Sequence, residues 1–139
     1  MCPTAQQSGV MESTTAGYRP GVCNIGSHER RRRYRLGVGA VLVGIAYLAL
    51  VAVTGLPAVF ALGGFVPLSL GCEWCLQGRQ SFCATLGFAG RYEFAGEAGA
   101  VPDGEARRAD RRYAFRLTVL GLLGGGVLAV AAYATLVLL

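Results

Sequence analysis

The sequence predicts an all-α membrane protein: a transmembrane helical hairpin, then a charged helical stem that leads into a third transmembrane helix. Of the 139 residues, 53% are hydrophobic and 15% are charged, whereas about a quarter of the residues in a soluble domain carry charge. The charges are unevenly placed, since Glu73 is the only Asp, Glu, Arg, Lys or His in 36–78 and 117–139 has none. Such apolar runs match the ~30 Å hydrocarbon core of a bilayer.

The first transmembrane span is predicted at 36–54, behind a polar segment. Residues 1–26 are rich in small and polar side chains and contain no apolar signal-peptide core, so they are expected to form a disordered cytoplasmic tail. Ser27 is the predicted N-cap of the first helix. Glu29 then lies in the first turn, where the helix dipole favours an acid.

The second span is predicted at 58–76. The turn signal Thr54-Gly55-Leu56-Pro57 separates it from the first span, and Pro57 suits the first turn of a helix. A loop this short makes the two spans antiparallel neighbours, so 27–78 is expected to be a transmembrane hairpin. Pro67 lies inside the second span and is expected to kink it.

The third span is predicted to follow a solvated stem. Residues 79–103 are glycine-rich and too polar to span, which predicts a cytoplasmic loop. Asp103 is the predicted N-cap of a helix over 104–139, in which the stem precedes a span at 117–139. Glu105 with Arg108, and Arg107 with Asp110, have the spacing of helical ion pairs.

The basic residues predict the orientation. All 13 are arginine, and with three spans the groups that flank them fall on one face of the membrane. The positive-inside rule then places the N-terminus in the cytoplasm and the C-terminus outside the inner (plasma) membrane. Anionic lipid headgroups, rather than nucleic acid, are the predicted partners of this charge. The predicted headgroup ligands are Arg30, Arg31, Arg32, Arg33, Arg35, Arg111, Arg112 and Arg116.

Three cysteines are the candidate thiol or redox residues: Cys72 and Cys75, which form a C-x-x-C pair, and Cys83. Cys72 and Cys75 share a helical face and suit thiol exchange or metal binding, or simple packing as small apolar residues, which we favour. Only Cys83, Cys23 and His28 could complete a zinc site, so no metal is predicted. No structural disulfide is expected, because disulfides seldom persist in the cytoplasm.

Two further features lie in the spans. Glu73 is a candidate intramembrane functional carboxylate, but its place near the interface favours an ion pair with Arg79 or Arg35. Gly121, Gly125 and Ala129 form a small-residue stripe that lets helices approach closely. This stripe suits packing against the hairpin, a second copy or a partner.

Asn24-Ile25-Gly26, followed by Glu29-Arg30, resembles the YgaP-like family of short prokaryotic inner-membrane domains. Gly71-Cys72, Cys83 and Leu86-Gly87 look like its glycine- and cysteine-rich stretch, so the resemblance covers 23–90. It implies a two-helix membrane domain that can dimerise and that is sometimes fused to a rhodanese module. No stretch here resembles the rhodanese active-site loop. The Cys72/Cys75 pair and the third span are not part of the family pattern.

The sequence shows no paired carboxylates, Ser-His-Asp set, heme ligand pair or phosphate-binding loop. It therefore predicts a non-enzymatic protein without a cofactor, acting as an accessory or structural subunit of a larger membrane complex or as a homo-oligomer. One alternative is a membrane thiol protein in redox or sulfur handling. The other is a small channel or transporter subunit, in which flux would depend on Glu73.

Overall fold

The computed structural model describes residues 17–94 and 97–138 and is mostly helical. Its elements are α1 (Ser27–Thr54), a 3₁₀ segment (Ala58–Gly64), α2 (Phe65–Gln80), α3 (Ala84–Ala89), β1 (Arg91–Phe94), β2 (Glu97–Ala100) and α4 (Gly104–Leu138). Three helical stretches are long and apolar enough to cross a membrane: Ser27–Thr54, Ala58–Gln80 and Gly104–Leu138. The predicted all-α membrane fold is confirmed, with one small antiparallel β-hairpin added to it.

The chain divides into two compact units. What we call the polar unit is the described part of Met1–Arg33 together with Leu76–Thr118. The apolar unit is the described part of Tyr34–Cys75 and Val119–Leu139. Arg35 and Glu73 are the two charged residues of the apolar unit, and the polar unit holds all the other arginines.

Helix α1 begins one residue earlier than predicted, at Ser27 itself. The Gly26 carbonyl accepts the first helical hydrogen bond, from the Arg30 N–H at 3.0 Å, so Ser27 is the first helical residue and the predicted Ser27 N-cap is wrong. Glu29 lies in the first turn, as predicted. The helix ends at Thr54, before Gly55, whose φ of 65° is easily adopted because glycine has no Cβ.

The second span is a 3₁₀ segment followed by α2, rather than one α-helix. Pro67 is the third residue of α2, where its missing N–H removes no helical bond because N-terminal amides have no intrahelical acceptor. The change from 3₁₀ to α-helix lies just before Pro67, and the predicted kink stays a prediction. Helix α2 also continues beyond Leu76 to Gln80.

Helix α4 begins where the sequence predicts. Asp103 accepts hydrogen bonds from the Glu105 N–H at 3.2 Å through Oδ1 and from the Ala106 N–H at 3.3 Å through Oδ2. These bonds satisfy two backbone donors that the first turn leaves open. The predicted N-cap at Asp103 is confirmed, and α4 then runs without a break from stem to span.

In the apolar unit, α1 and α2 are antiparallel and meet through glycines. A Cβ on Gly37 would lie 2.9 Å from the Cys75 backbone nitrogen, and one on Gly44 would lie 2.8 Å from Leu68 Cδ2. The facing pairs are Gly37 with Cys75, Val41 with Gly71, Gly44 with Leu68 and Leu48 with Gly64. Each pair contains a glycine, so the helix backbones approach more closely than larger side chains would allow.

The small-residue stripe of α4 packs on α2. A Cβ on Gly121 would lie 2.6 Å from Glu73 Cβ, and one on Gly125 would overlap the backbone of Ser69. Gly121, Gly125 and Ala129 are all buried. Of the three partners that the sequence left open for this stripe, the structure shows the chain's own hairpin.

The outward faces of the apolar unit consist of large hydrophobic side chains. Val53 is 81% exposed and Val127 is 69% exposed, and Leu42, Ile45 and Leu123 are also exposed. An apolar surface this extensive is unusual on a soluble monomer. It fits contact with lipid acyl chains.

In the polar unit, two segments predicted to be irregular are folded. The sequence predicts that 17–26 belong to the disordered tail, but Cys23, Asn24 and Ile25 are buried and Ile25 pairs in parallel with Glu93 of β1. The prediction is wrong for 17–26 because these three side chains find partners distant in sequence; residues 1–16 lie outside the described residues. The predicted loop 79–103 contains α3 and the β-hairpin.

Two small hydrophobic clusters hold the polar unit together. The first contains Phe82, Ala84, Ala114 and Leu117, with Leu76 and Tyr113 packed against it. The second contains Tyr92, Val101 and Ala106, with Tyr18 and Phe94 packed against it. The rings of Tyr18 and Tyr92 stack with centroids 5.1 Å apart, so the second cluster fastens the first described residues to the β-hairpin.

Candidate functional site

The densest set of buried polar contacts in the polar unit surrounds Asn24 and Cys83. Asn24 Nδ2 donates to the Cys83 carbonyl at 2.9 Å, and the Cys83 N–H donates to Asn24 Oδ1 at 2.6 Å. Both residues are fully buried. One amide side chain thus pairs with both backbone groups of Cys83. The carbonyl also accepts from the Gly87 N–H at 3.0 Å, whereas the Cys83 N–H would otherwise be buried without a partner, at a cost of about 1–3 kcal/mol.

The turn that carries Cys83 begins with a strained residue. Ser81 has a φ of 53°, a left-handed conformation that costs a residue with a Cβ about 1–2 kcal/mol. It follows the last residue of α2, and the Phe82 N–H donates back to the Gln77 carbonyl at 3.1 Å, as in a helix-ending Schellman turn. This conformation aims the Ser81 carbonyl at Asn24 and Ile25, whose N–H groups it accepts at 3.3 and 3.4 Å.

A partly buried arginine completes the cluster. Arg33 Nη2 donates to Cys83 Sγ at 3.1 Å, and Arg33 Nε lies 3.2 Å from Glu29 Oε1. The Arg33 side chain is 17% exposed, whereas Arg32, which also pairs with Glu29, is 62% exposed. Arg33 therefore faces into the polar unit more than Arg32 does, and its predicted role as a headgroup ligand stays a prediction.

This geometry gives Cys83 one of the two properties of a reactive cysteine. Such residues combine a cationic neighbour with solvent access. Cys83 is a free thiol with a guanidinium against its sulfur, but it has no exposed surface. The contacts of Cys83 are those of a structural tie, and chemistry at its sulfur requires the turn to open.

The other two candidate thiols contact different helices. Cys75 Sγ lies against Gly37 of α1, and Cys72 Sγ lies 3.3 Å from the position of a Cβ on Gly124 of α4. Both thiols are free and partly buried. Each fills the space that a glycine leaves, as the packing interpretation predicts. Cys83 belongs to the polar unit, so these three cysteines do not form one cluster within either unit.

Cys23 departs from the expectation that no structural disulfide forms. It is disulfide-bonded. The side chain is fully buried next to Asn24. The expectation depends on the predicted cytoplasmic location alone, and that location gives no account of this disulfide.

The structure places Glu73 at a helix contact. Its Cα and Cβ face Gly121 of α4, and it is partly buried. Arg35 and Arg79 are both exposed. An ion pair of Glu73 with either arginine stays a prediction.

Asp110 binds Tyr18 and Gly21 rather than Arg107, the ion-pair partner that the sequence predicts. It is fully buried and accepts hydrogen bonds from the Tyr18 hydroxyl at 2.7 Å and the Gly21 N–H at 2.6 Å. The predicted pairing with Arg107 is wrong, because Arg107 Nε donates to the Val101 carbonyl at 2.7 Å. Burial and the hydrogen bond to Asp110 raise the pKa of Tyr18. An acid spaced for an ion pair gives no sequence signal that it will bind distant groups instead.

A groove in the apolar unit has a volume of about 340 Å³ and is lined by Ile45, Leu48, Ala49, Ala132, Thr135 and Leu136. Its one hydroxyl, on Thr135, donates to the Ala131 carbonyl at 2.9 Å. Ligand sites usually combine apolar walls with a few convergent polar groups, and this lining offers none. Among residues 17–94 and 97–138, no group of three or more His, Cys, Asp or Glu side chains could hold a metal ion.

Comparison with protein-family models, curated proteins and solved structures gives no match to this chain. The resemblance to YgaP-like domains therefore stays a prediction. Two segments that carry it do meet in the fold, since Asn24 binds Cys83. Gly26 of the same motif donates its N–H to the Glu93 carbonyl at 2.9 Å.

Proposed function

We propose that this chain is a non-enzymatic integral membrane protein that serves as an accessory or structural subunit of a larger membrane complex, or assembles as a homo-oligomer. The observation that carries the proposal is the use of its polar groups. Asn24, Cys83 and Asp110 are fully buried in contacts that hold chain segments together. The surfaces left for binding are apolar along the spans and rich in arginine in the polar unit, which suits lipid and protein neighbours.

The proposed location is the inner (plasma) membrane, with the polar unit in the cytoplasm. Support comes from the concentration of arginine in the polar unit, while Arg35 is the one arginine of the apolar unit. Arginine next to a span is retained on the cytoplasmic side during insertion. The exposed arginines would then bind anionic headgroups of the inner leaflet.

The test is gentle detergent extraction of the protein from its native membrane, followed by size separation and mass spectrometry of what migrates with it. A stoichiometric partner, or a mass that is a multiple of the chain, is expected. A monomer that carries only lipid would contradict the proposal. Gly39→Leu enlarges the outer face of α1 without altering the internal packing, because a Cβ at Gly39 would meet nothing within 4 Å.

A second candidate function, a membrane thiol protein, is favoured by one contact: the Arg33 guanidinium against Cys83 Sγ at 3.1 Å. Thiol labelling of the folded protein, with and without a mild oxidant, separates the two functions. A structural tie predicts that Cys83 is labelled only after unfolding. A thiol protein predicts rapid, reversible oxidation that Arg33→Met slows and that Arg32→Met, at an exposed position, leaves unchanged.

A further inference from the structure

The short helix α3 exposes a phenylalanine although it belongs to no membrane span. Phe88 is 43% exposed, and Thr85 and Ala89 on the same helical face are exposed as well. Phe115 on α4 is 64% exposed. Both rings belong to the polar unit, where most other exposed side chains are polar or charged.

Close packing of α3 on α4 places the two phenylalanines at neighbouring positions. A Cβ on Gly87 would lie 3.2 Å from Ala114 Cβ. Phe88 directly follows Gly87, and Phe115 directly follows Ala114. The two exposed rings therefore belong to adjoining parts of the surface rather than to separate sites.

This surface lies at the level of α4 where charge gives way to apolar sequence. Ala114 precedes Leu117, the first residue of the uncharged run, by three residues, which is about 4.5 Å along a helix. In a helix that crosses a bilayer, this transition occurs in the headgroup layer. Helix α3 packs against α4 at that level.

Arginines surround the exposed rings. Arg111, Arg112 and Arg116 are exposed and lie within about a turn of Phe115 on α4, and the exposed Arg91 follows α3. Residues 111–116 contain no acidic side chain. Exposed aromatic rings within a basic surface are typical of segments that lie in the interface of an anionic membrane.

We infer that Phe88 and Phe115, together with Arg91, Arg111, Arg112 and Arg116, form an interfacial anchor for anionic lipid. Helix α3 lies on the membrane surface, with the two rings between headgroups and the guanidinium groups on lipid phosphates. Charge complementarity selects anionic lipid as the occupant. The headgroup role proposed for the α4 arginines thereby extends to α3, whether or not the chain has a protein partner.

The test uses the full chain in vesicles of phosphatidylcholine, alone or mixed with phosphatidylglycerol. Trp74→Phe removes the one native tryptophan, and Phe88→Trp then reports the environment of α3. In mixed vesicles we expect blue-shifted emission, and quenching by shallowly brominated lipids about twofold stronger than in phosphatidylcholine alone. Water-like emission that brominated lipids leave unchanged would assign the surface to a protein partner and overturn the inference.

Two matched variants control the experiment. Val22→Trp reports an exposed position next to Gly21, which packs near Ala109, about 12 Å along α4 from the uncharged run. Its emission should respond to aqueous iodide and not to brominated lipid. Replacing Arg111 and Arg112 by glutamine should abolish the effect of phosphatidylglycerol on Phe88→Trp, whereas Arg108→Gln should preserve it. Equal quenching in both vesicle types would overturn the assignment to anionic lipid.

Discussion

The contacts inside the apolar unit and the contacts inside the polar unit are of opposite kinds. In the apolar unit, α1, α2 and α4 meet through glycines and expose large hydrophobic side chains. In the polar unit, Asn24 is hydrogen-bonded to the backbone of Cys83, and Asp110 accepts hydrogen bonds from Tyr18 and Gly21. The first unit depends on the absence of side chains at its contacts, and the second depends on particular polar side chains at its contacts.

The difference follows from the solvent each unit meets. Continuous helices satisfy their own backbone groups, as a bilayer requires, so close packing is the main contact left to optimise. Irregular segments leave backbone groups open, and each must find a partner when buried. Asn24 and the strained Ser81 carbonyl supply those partners. The units should therefore respond to different kinds of substitution.

Gly125→Leu is expected to have the largest effect. Even a Cβ at this position would overlap the Ser69 backbone, so α4 would be forced away from α2. We expect a loss of about 3 kcal/mol in unfolding free energy, measured by denaturant titration in detergent micelles. Gly39→Leu is the control and should leave stability within about 0.5 kcal/mol. Equal stability of the two variants would contradict glycine-mediated packing in the apolar unit.

Asn24→Ala tests the polar unit. It removes both bonds to the Cys83 backbone and should cost about 2 kcal/mol. Hydrogen exchange followed by mass spectrometry should show lost protection of the Cys83 amide, with α1 and α4 within the spans unchanged. Thr85→Ala on the exposed face of α3 provides the control. Unchanged exchange at Cys83 would mean that Asn24 is not the contact that orders this turn.

Tyr18→Phe tests the polar unit through the pH dependence of its stability. The Tyr18 pKa is raised by burial and by its bond to Asp110, so the tyrosine contributes its full stability below the ordinary value near 10 and loses that contribution as pH rises further. We expect the unfolding free energy of the native chain to exceed that of the variant by about 1 kcal/mol at pH 7. Above about pH 10 the difference should shrink. A stability difference that widens at alkaline pH would contradict the hydrogen bond from Tyr18 to Asp110.

Ser81→Gly should have the smallest effect, and it should stabilise. Glycine relieves the left-handed strain but gains freedom in the unfolded chain, which leaves a net gain of about 0.5–1 kcal/mol. Thermal unfolding of the native chain, Ser81→Gly and Ser81→Ala measures this gain. Ser81→Ala keeps the strain and should show none. If both variants are destabilised equally, the Ser81 hydroxyl is required and strain is not the controlling property.

The sequence predicts the helices that meet lipid because their signals are local. Composition gives the three spans, and the carboxylate of Asp103 gives the start of α4. The glycine face of the hairpin also has a local signal. Gly37 and Gly44 are seven residues apart, as are Gly64 and Gly71, and these spacings mark the two faces that meet.

The contacts of the polar unit have no comparable local signal in the sequence. Asn24 and Cys83 are 59 residues apart, and Tyr18 and Asp110 are 92 apart. A polar, glycine-rich composition describes a loop and a buried irregular segment equally well, because it does not show which side chains find distant partners. The same limit applies to the contact of Arg33 with Cys83, which lies 50 residues away.

The orientation of the three spans is the central claim, and two observations bear on it in opposite directions. The arginines favour the cytoplasm for the polar unit, whereas the disulfide at Cys23 favours an oxidising compartment. The direct measurement is labelling with a membrane-impermeant maleimide of Leu56→Cys, in the hairpin turn, and Glu105→Cys, at the start of α4. Leu56→Cys should be labelled in intact cells, and Glu105→Cys only after the membrane is opened, each above the labelling of the native chain. The reverse pattern would place the arginine-rich unit outside and contradict the account.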